Sequence, residues 1–141
     1  MTIPNKAQYK GIFKNNIFTD GFGTENLQNG KSYEGNFVDT YFHGNGDLRW
    51  KDGSFYKGNF LEGKACGQGE LKKSSGVVYT GNFFHGWFEG TGELKFTDGS
   101  RYIGVFKNGI KCGPGSYFST NNREFKQVWN NGVQQDKCSI F

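Results

Sequence analysis

His43, Cys66, Glu89 and Cys112 stand 23 residues apart, one after another, in a single column of this chain. An imidazole, a carboxylate and two thiols are zinc-ligand types, and two cysteines are the makings of a disulfide. The spacing decides against both. If each 23-residue unit supplies two strands about 4.8 Å apart, neighbours in the column lie roughly 10 Å apart and Cys66 and Cys112 roughly 20 Å apart. A zinc ion binds its ligands at about 2.0–2.3 Å, and a disulfide needs Cα atoms within about 7 Å. Cys66, Cys112 and Cys138 are therefore expected to be free, reduced thiols in an intracellular protein. His43 and His85 fall at different positions of adjacent units, and no serine or cysteine is placed beside either as a nucleophile. No Gly-x-x-x-x-Gly-Lys run is present to cradle a phosphate. The expectation is a protein that is not an enzyme and uses no cofactor or metal.

The elements that position these residues come from a repeat. Tyr33-Glu34-Gly35-Asn36-Phe37 returns as Tyr56-Lys57-Gly58-Asn59-Phe60, Tyr79-Thr80-Gly81-Asn82-Phe83 and Tyr102-Ile103-Gly104-Val105-Phe106. An earlier copy, Tyr9 to Phe13, lies 24 residues upstream, and a degraded one reads Phe125 to Trp129. Each unit has a second half: Gly44-x-Gly46-x-Leu48, Gly67-x-Gly69-x-Leu71, Gly90-x-Gly92-x-Leu94 and Gly113-x-Gly115-x-Tyr117. In the first copy the glycine pair is Gly21 and Gly23, one residue late, and Glu25 stands where leucine belongs. Asp52-Gly53, Ser75-Gly76 and Asp98-Gly99 close the units, with Asn29-Gly30 in the first. A fixed period of this length means an array in which each unit buries its apolar face against its neighbours.

Apolar and small residues at i, i+2 and i+4 have strand periodicity in both halves, so each unit is two antiparallel strands. Asp-Gly supplies positive backbone dihedrals for a tight turn to the next unit. Glu62-Gly63, His85-Gly86, Asn108-Gly109 and Asn131-Gly132 form the other connection, each followed by a few loop residues. The expected fold is all-β: one elongated, twisted antiparallel meander of about six stacked hairpins forming a groove. Residues 1–8 are a lead-in, and 9–141 the array, with units starting at 9, 33, 56, 79 and 102 and a capping unit from 125. Gln127, Asp136 and Cys138 replace glycines in that last unit, as suits a cap with no neighbour beyond it.

Composition narrows the classes further. The chain has 141 residues, one domain's worth, with 23 glycines, 2 prolines, 15 phenylalanines and 7 tyrosines, which excludes collagen and simple disorder. No apolar run is long enough for a membrane-spanning helix, and Met1 to Lys6 lacks an apolar signal segment. Thr2 stands where N-myristoylation would require glycine. The net charge of +4 calls for no nucleic acid partner.

The unit Tyr-x-Gly-x-Phe … Gly-x-Gly-x-Leu … Asp-Gly resembles the MORN repeat (membrane occupation and recognition nexus) from about Tyr9 onwards. Asn130-Asn131 followed by Lys137-Cys138-Ser139 near Ile140 is similar to the C-terminal segment of the short retinophilin type. That resemblance implies a groove that clamps the tail of an unconventional class III myosin. The wider family implies scaffolds of cilia, basal complexes and membrane–cytoskeleton junctions, some of them rod-like homodimers, and hence a cytoplasmic, cytoskeleton- or cilium-associated protein.

A single-layer sheet with an aromatic face and no helix to cover it invites a partner segment. The expected binding groove comprises Phe37, Tyr56, Phe60, Tyr79, Phe83, Tyr102, Phe106, Leu48, Leu71 and Leu94, the rings giving apolar contact and the tyrosine hydroxyls polar anchors; the same rings are also the expected core. Val38, Leu61 and Phe84 share one position on the solvated face, while Tyr41 and Trp87 share a loop position beside Phe42 and Phe88. Two readings of Tyr41, Phe84 and Trp87 stand open, a secondary contact patch and packing of the loops. Asp47/Arg49, Glu70/Lys72 and Glu93/Lys95 form acidic and basic ladders, read as solvated pairs or as a lipid-headgroup patch on Arg49, Lys72 and Lys95. The neighbouring carboxylates cancel most of the field such a patch needs, so direct membrane binding is expected to be weak at most. Cys138-Ser139-Ile140-Phe141 formally fits a prenylation motif, but Ile140 also falls in the leucine column of a final strand. The functional expectation is a protein–protein scaffold or adaptor, with a structural homodimer and a peripheral phospholipid binder as alternatives.

Overall fold

In the computed structural model, residues 7–135 are described, and they form one twelve-stranded antiparallel sheet with the strands in sequence order. The strands pair into six hairpins: β1 (Gln8–Lys14) with β2 (Ile17–Asn26), β3 (Ser32–Val38) with β4 (Tyr41–Arg49), and β5 (Phe55–Leu61) with β6 (Lys64–Lys72). β7 (Val78–Phe84) with β8 (Trp87–Lys95), β9 (Arg101–Lys107) with β10 (Ile110–Phe118), and β11 (Glu124–Asn130) with β12 (Val133–Gln134) complete the series. A single 3₁₀ turn at Gln28–Gly30 is the one helical element among the described residues. At about 4.8 Å per strand the meander is roughly 55 Å long, and it does not close into a barrel. Asp136 and Cys138 of the expected cap lie outside the described residues.

Turn chemistry differs between the two ends of a unit. Within each hairpin the two loop residues both take positive φ, as in Glu62 (48°) with Gly63 (82°) and His85 (49°) with Gly86 (83°). That is the type I′ geometry that matches strand twist. The connections between units are longer; in those closed by Asp-Gly the glycine is left-handed and the aspartate is not, Gly53 at 90° and Gly99 at 91°, while Asn29 and Asn122 take φ of 63° in the first and last connections. The aspartate acts through its side chain instead: Asp52 accepts the Ser54 amide at 2.9 Å, as Asp98 does from Ser100.

The residues after each type I′ turn are strand rather than the expected loop. Tyr41 and Trp87 open β4 and β8, paired with Val38 and Phe84. The extra length is absorbed farther along by a bulge, where Gly44, Gly67, Gly90 and Gly113 take φ of 61–86°. Phe42 and Phe88 lie on the inner face: the bulge takes up two residues, from the Phe37–Phe42 pair to the Gly35–Gly46 pair, so the alternation is kept and they share a side with Leu48 and Leu94.

A line of glycines crosses the sheet through the paired positions Gly23, Gly35, Gly46, Gly58, Gly69, Gly81, Gly92, Gly104 and Gly115. The tyrosine of each unit folds back over its own pair, so a Cβ at Gly104 would sit 2.5 Å from the Tyr102 hydroxyl. At the far end Gln127 takes the glycine's place opposite Gly115, and Trp129 packs against Tyr102 as the next phenylalanine does elsewhere.

Candidate interaction surface

The inner face covers itself. Tyr33, Phe37, Tyr56, Phe60, Tyr79, Phe83, Tyr102 and Phe106 are 0–4 % exposed and make up the core. Tyr33, Tyr56 and Tyr79 each meet the phenylalanine of their own unit and that of the next edge-to-face, as Tyr79 does with Phe83 at 5.1 Å and Phe106 at 5.3 Å, and Tyr102 meets Phe106 and Trp129. Edge-to-face packing satisfies the ring quadrupoles, so a single sheet with no second layer still closes an aromatic core.

The hydroxyls are occupied as well. Tyr33 donates to the Asn36 carbonyl at 2.7 Å, Tyr56 to Asn59 at 2.7 Å and Tyr79 to Asn82 at 2.9 Å. Burial pushes the Tyr33 and Tyr79 phenols up to about 12 and raises Tyr56 and Tyr102 too. The expected groove rings are therefore buried, and their hydroxyls are committed to the fold rather than free as anchors; Tyr102 alone has a buried hydroxyl without a partner. Phe37, Tyr56, Phe60, Tyr79, Phe83, Tyr102 and Phe106 form the floor of the face, not its contact surface.

The accessible part is built by half-buried residues above that floor. Leu48, Leu71 and Leu94 belong to it as expected, joined by Phe42, Trp50, Ala65, Phe88, Phe96, Tyr117 and Trp129. Phe42 stacks on Tyr33 at 3.8 Å with planes 8° apart, and Phe88 on Tyr79 at 3.7 Å and 7°. In the same column the Lys111 ammonium lies 4.2 Å from the Tyr102 ring and 4.3 Å from that of Trp129. Burial lowers the Lys111 pKa below the ordinary lysine value. A cavity of about 620 Å³ opens on this face above Tyr56, Ala65 and Leu71. Trp50, Phe42 and Phe88 were legible only as a 23-residue column, which spacing alone does not distinguish from loop.

The outer face carries the second patch. Val38, Tyr41, Leu61, Phe84 and Trp87 are 40–59 % exposed, in a row beside the type I′ turns that Ile110 and Val133 continue. Tyr41 and Trp87 lie against Gly63 and Gly109 of the next type I′ turns and still keep more than half of their surface exposed. Asp47 bonds Arg49 at 3.1 Å and faces Lys57 at 3.9 Å. The Arg49 guanidinium also lies 5.4 Å from the Phe55 ring. The column partners Glu70/Lys72 and Glu93/Lys95 form no ion pair among the described residues.

Cys66 and Cys112 are free, partly buried thiols; Cys138 lies outside the described residues. No three His, Cys, Asp or Glu side chains among the described residues group to hold a metal ion. No helix among them is long and apolar enough to cross a membrane.

An unclosed meander whose units, the last excepted, lay a tyrosine over paired glycines defines a class of repeat protein. The family model of the MORN repeat matches four consecutive units, residues 33–55, 56–78, 79–101 and 102–123, and the chain belongs to that family. No curated protein matches the chain.

Proposed function

We propose that this chain is a non-enzymatic interaction scaffold that holds a segment of a partner protein along the inner face of its sheet, in a cytoskeletal, ciliary or membrane–cytoskeleton assembly. The observation that carries this reading is the open apolar strip of Leu48, Trp50, Leu71, Leu94 and Phe96 on a rigid aromatic floor, hollowed into the 620 Å³ cavity. A floor held by interlocking rings loses little conformational freedom when a segment docks, so apolar contact there converts efficiently into affinity. MORN repeats serve protein or membrane interaction, in keeping with such a role. An unconventional myosin tail is the partner class that the resemblance of the C-terminal segment suggests.

Random twelve-residue peptides displayed on phage and selected on the immobilised protein test the reading. Selected peptides should bind one to one and shift NMR signals of Leu48, Leu71 and Leu94. Binding that maps to the outer face, or no selection at all, refutes it. A structural homodimer has one observation of its own, the outer row of Val38, Tyr41, Leu61, Phe84 and Trp87. It predicts a concentration-dependent dimer by light scattering that Trp87→Ser with Phe84→Ser abolishes.

A further inference from the structure

Two columns of the repeat change character in the same unit. At one position the chain places Phe42, Ala65, Phe88 and Lys111, so the third unit lacks the ring that stacks on Tyr33 and Tyr79 in its neighbours. At another it places Leu27, Trp50, Lys73 and Phe96, all apolar and packed on the core except Lys73, which is exposed. These two departures hollow out the cavity of about 620 Å³, lined by Leu48, Trp50, Tyr56, Ala65, Leu71 and Phe83. The flanking rings Phe60 and Phe83 draw in to 4.9 Å from Tyr56, against 5.1–5.4 Å for the matching pairs around Tyr33 and Tyr79. Tyr56 thus stays buried, yet the volume where Phe42 and Phe88 place their rings is left open above Ala65.

The rim is positive. Lys64 stands at the type I′ turn end of the cavity, in the edge column of Tyr41 and Trp87, and Lys73 at the opposite end, both exposed and neither in an ion pair among the described residues. The one carboxylate on the rim, Asp52, is held ionised by the hydroxyl and amide of Ser54, so the rim carries two positive charges against one negative. Two free ammonium groups flanking an apolar hollow complement carboxylates on either side of an apolar side chain.

We propose that this cavity receives an aromatic side chain of the partner segment, flanked by acidic residues that meet Lys64 and Lys73, so that the partner completes the ring column interrupted at Ala65. The occupant's chemistry is set by the neighbouring units, whose own rings fill the equivalent place at 3.7–3.8 Å from their tyrosines. The proposal rests on the inner-face reading and adds its register: the aromatic anchor belongs to the unit of residues 56–78.

Blocked tripeptides Asp-Phe-Glu, Asp-Leu-Glu and Lys-Phe-Lys, titrated into the ¹³C-methyl-labelled protein, test it through the Ala65 and Leu71 methyl signals. Asp-Phe-Glu should shift both; Asp-Leu-Glu should require up to about tenfold more peptide for the same shift, since an aromatic pair adds about 0.5–1.5 kcal/mol beyond its buried area. Lys-Phe-Lys should also require more, since its ammonium groups are repelled by Lys64 and Lys73. Ala65→Phe, read through the Leu71 methyls alone, should abolish the response in a folded protein, and Lys73→Phe, which restores the counterpart of Trp50 and Phe96, keeps the test alive if Ala65→Phe does not fold. Equal response to the leucine peptide, or a response surviving both filling variants, overturns the proposal. So does a protein dimer or an anionic-vesicle contact that Ala65→Phe removes, either of which would give the cavity to a different occupant. Selected peptides that shift Leu48 and Leu94 yet bind Ala65→Phe normally would sink this assignment and leave the inner-face reading standing; peptides landing elsewhere sink both.

Discussion

Four equivalent tyrosines offer an internal comparison, because three have a hydrogen-bond partner and the fourth does not. Tyr33, Tyr56 and Tyr79 donate to main-chain carbonyls at 2.7–2.9 Å from nearly complete burial. Replacing any of them by phenylalanine keeps the ring and its edge-to-face contacts but removes the donor and strands the carbonyl. Each should cost about 1–1.5 kcal/mol, the usual worth of a buried neutral hydrogen bond. Tyr102 is also fully buried, but its hydroxyl has no partner. The folded state already bears the desolvation cost of that group, so Tyr102→Phe should be neutral or stabilising, within about 0.5 kcal/mol of the parent or better. Urea denaturation followed by fluorescence of Trp50, Trp87 and Trp129 measures the four variants side by side, and an unchanged urea dependence guards against lost cooperativity in a repeat array. In thermal melts the three costly variants should fall by about 3–5 °C per kcal/mol. If Tyr102→Phe loses as much as Tyr79→Phe, the hydroxyl bonds are not what separates these positions and the reasoning fails.

Stability should also fall with alkalinity. Burial raises the folded-state pKa of Tyr33 and Tyr79 from 10.0 to about 12, so the neutral phenol's contribution is complete below pH 10 and is lost as pH climbs towards 12; circular dichroism against pH reads this, and a melting temperature flat from pH 9 to 12 would contradict it. Gly104→Ala should cost about 1–3 kcal/mol although its φ is ordinary, because the new Cβ would meet the Tyr102 ring at 2.5–2.8 Å; a second substitution, Tyr102→Leu, should recover part of the loss in a double-mutant cycle. Phe60→Ala and Phe83→Ala should each cost about 3–5 kcal/mol of stability as buried rings, measured by the same denaturation; a cost under 1 kcal/mol would mean that the inner face is not core. Unmodified protein should sediment weakly or not at all with anionic vesicles and lose any binding at physiological salt, because Arg49 is paired with Asp47; persistence that Arg49, Lys72 and Lys95 reversal abolishes would contradict this.

The local pattern of this chain carried the architecture. Tyr-x-Gly-x-Phe and Gly-x-Gly-x-Leu have a period of two, and turn pairs bound every run, so strands, hairpins and their stacking order follow from backbone rules that act over a few residues. The extra strand length at Phe42 and Phe88 was not legible, since nothing local shows that pairing resumes straight after the type I′ turn and that a two-residue bulge farther along takes up the surplus. What the aromatic columns do was decided only in three dimensions. A repeat shows that Tyr56 and Phe83 belong to the same face, but not whether that face stays open or closes on itself. Here tyrosines folded over paired glycines bring rings of successive units to about 5 Å, so the rings that the spacing offered as both core and contact surface are buried as core. Ala65 and Lys73 are equally plain as departures in their columns, yet each is unremarkable in one dimension. They become a cavity because the sheet brings positions eight residues apart in the chain to one hollow, and shape is a property of surfaces that meet rather than of residues in order.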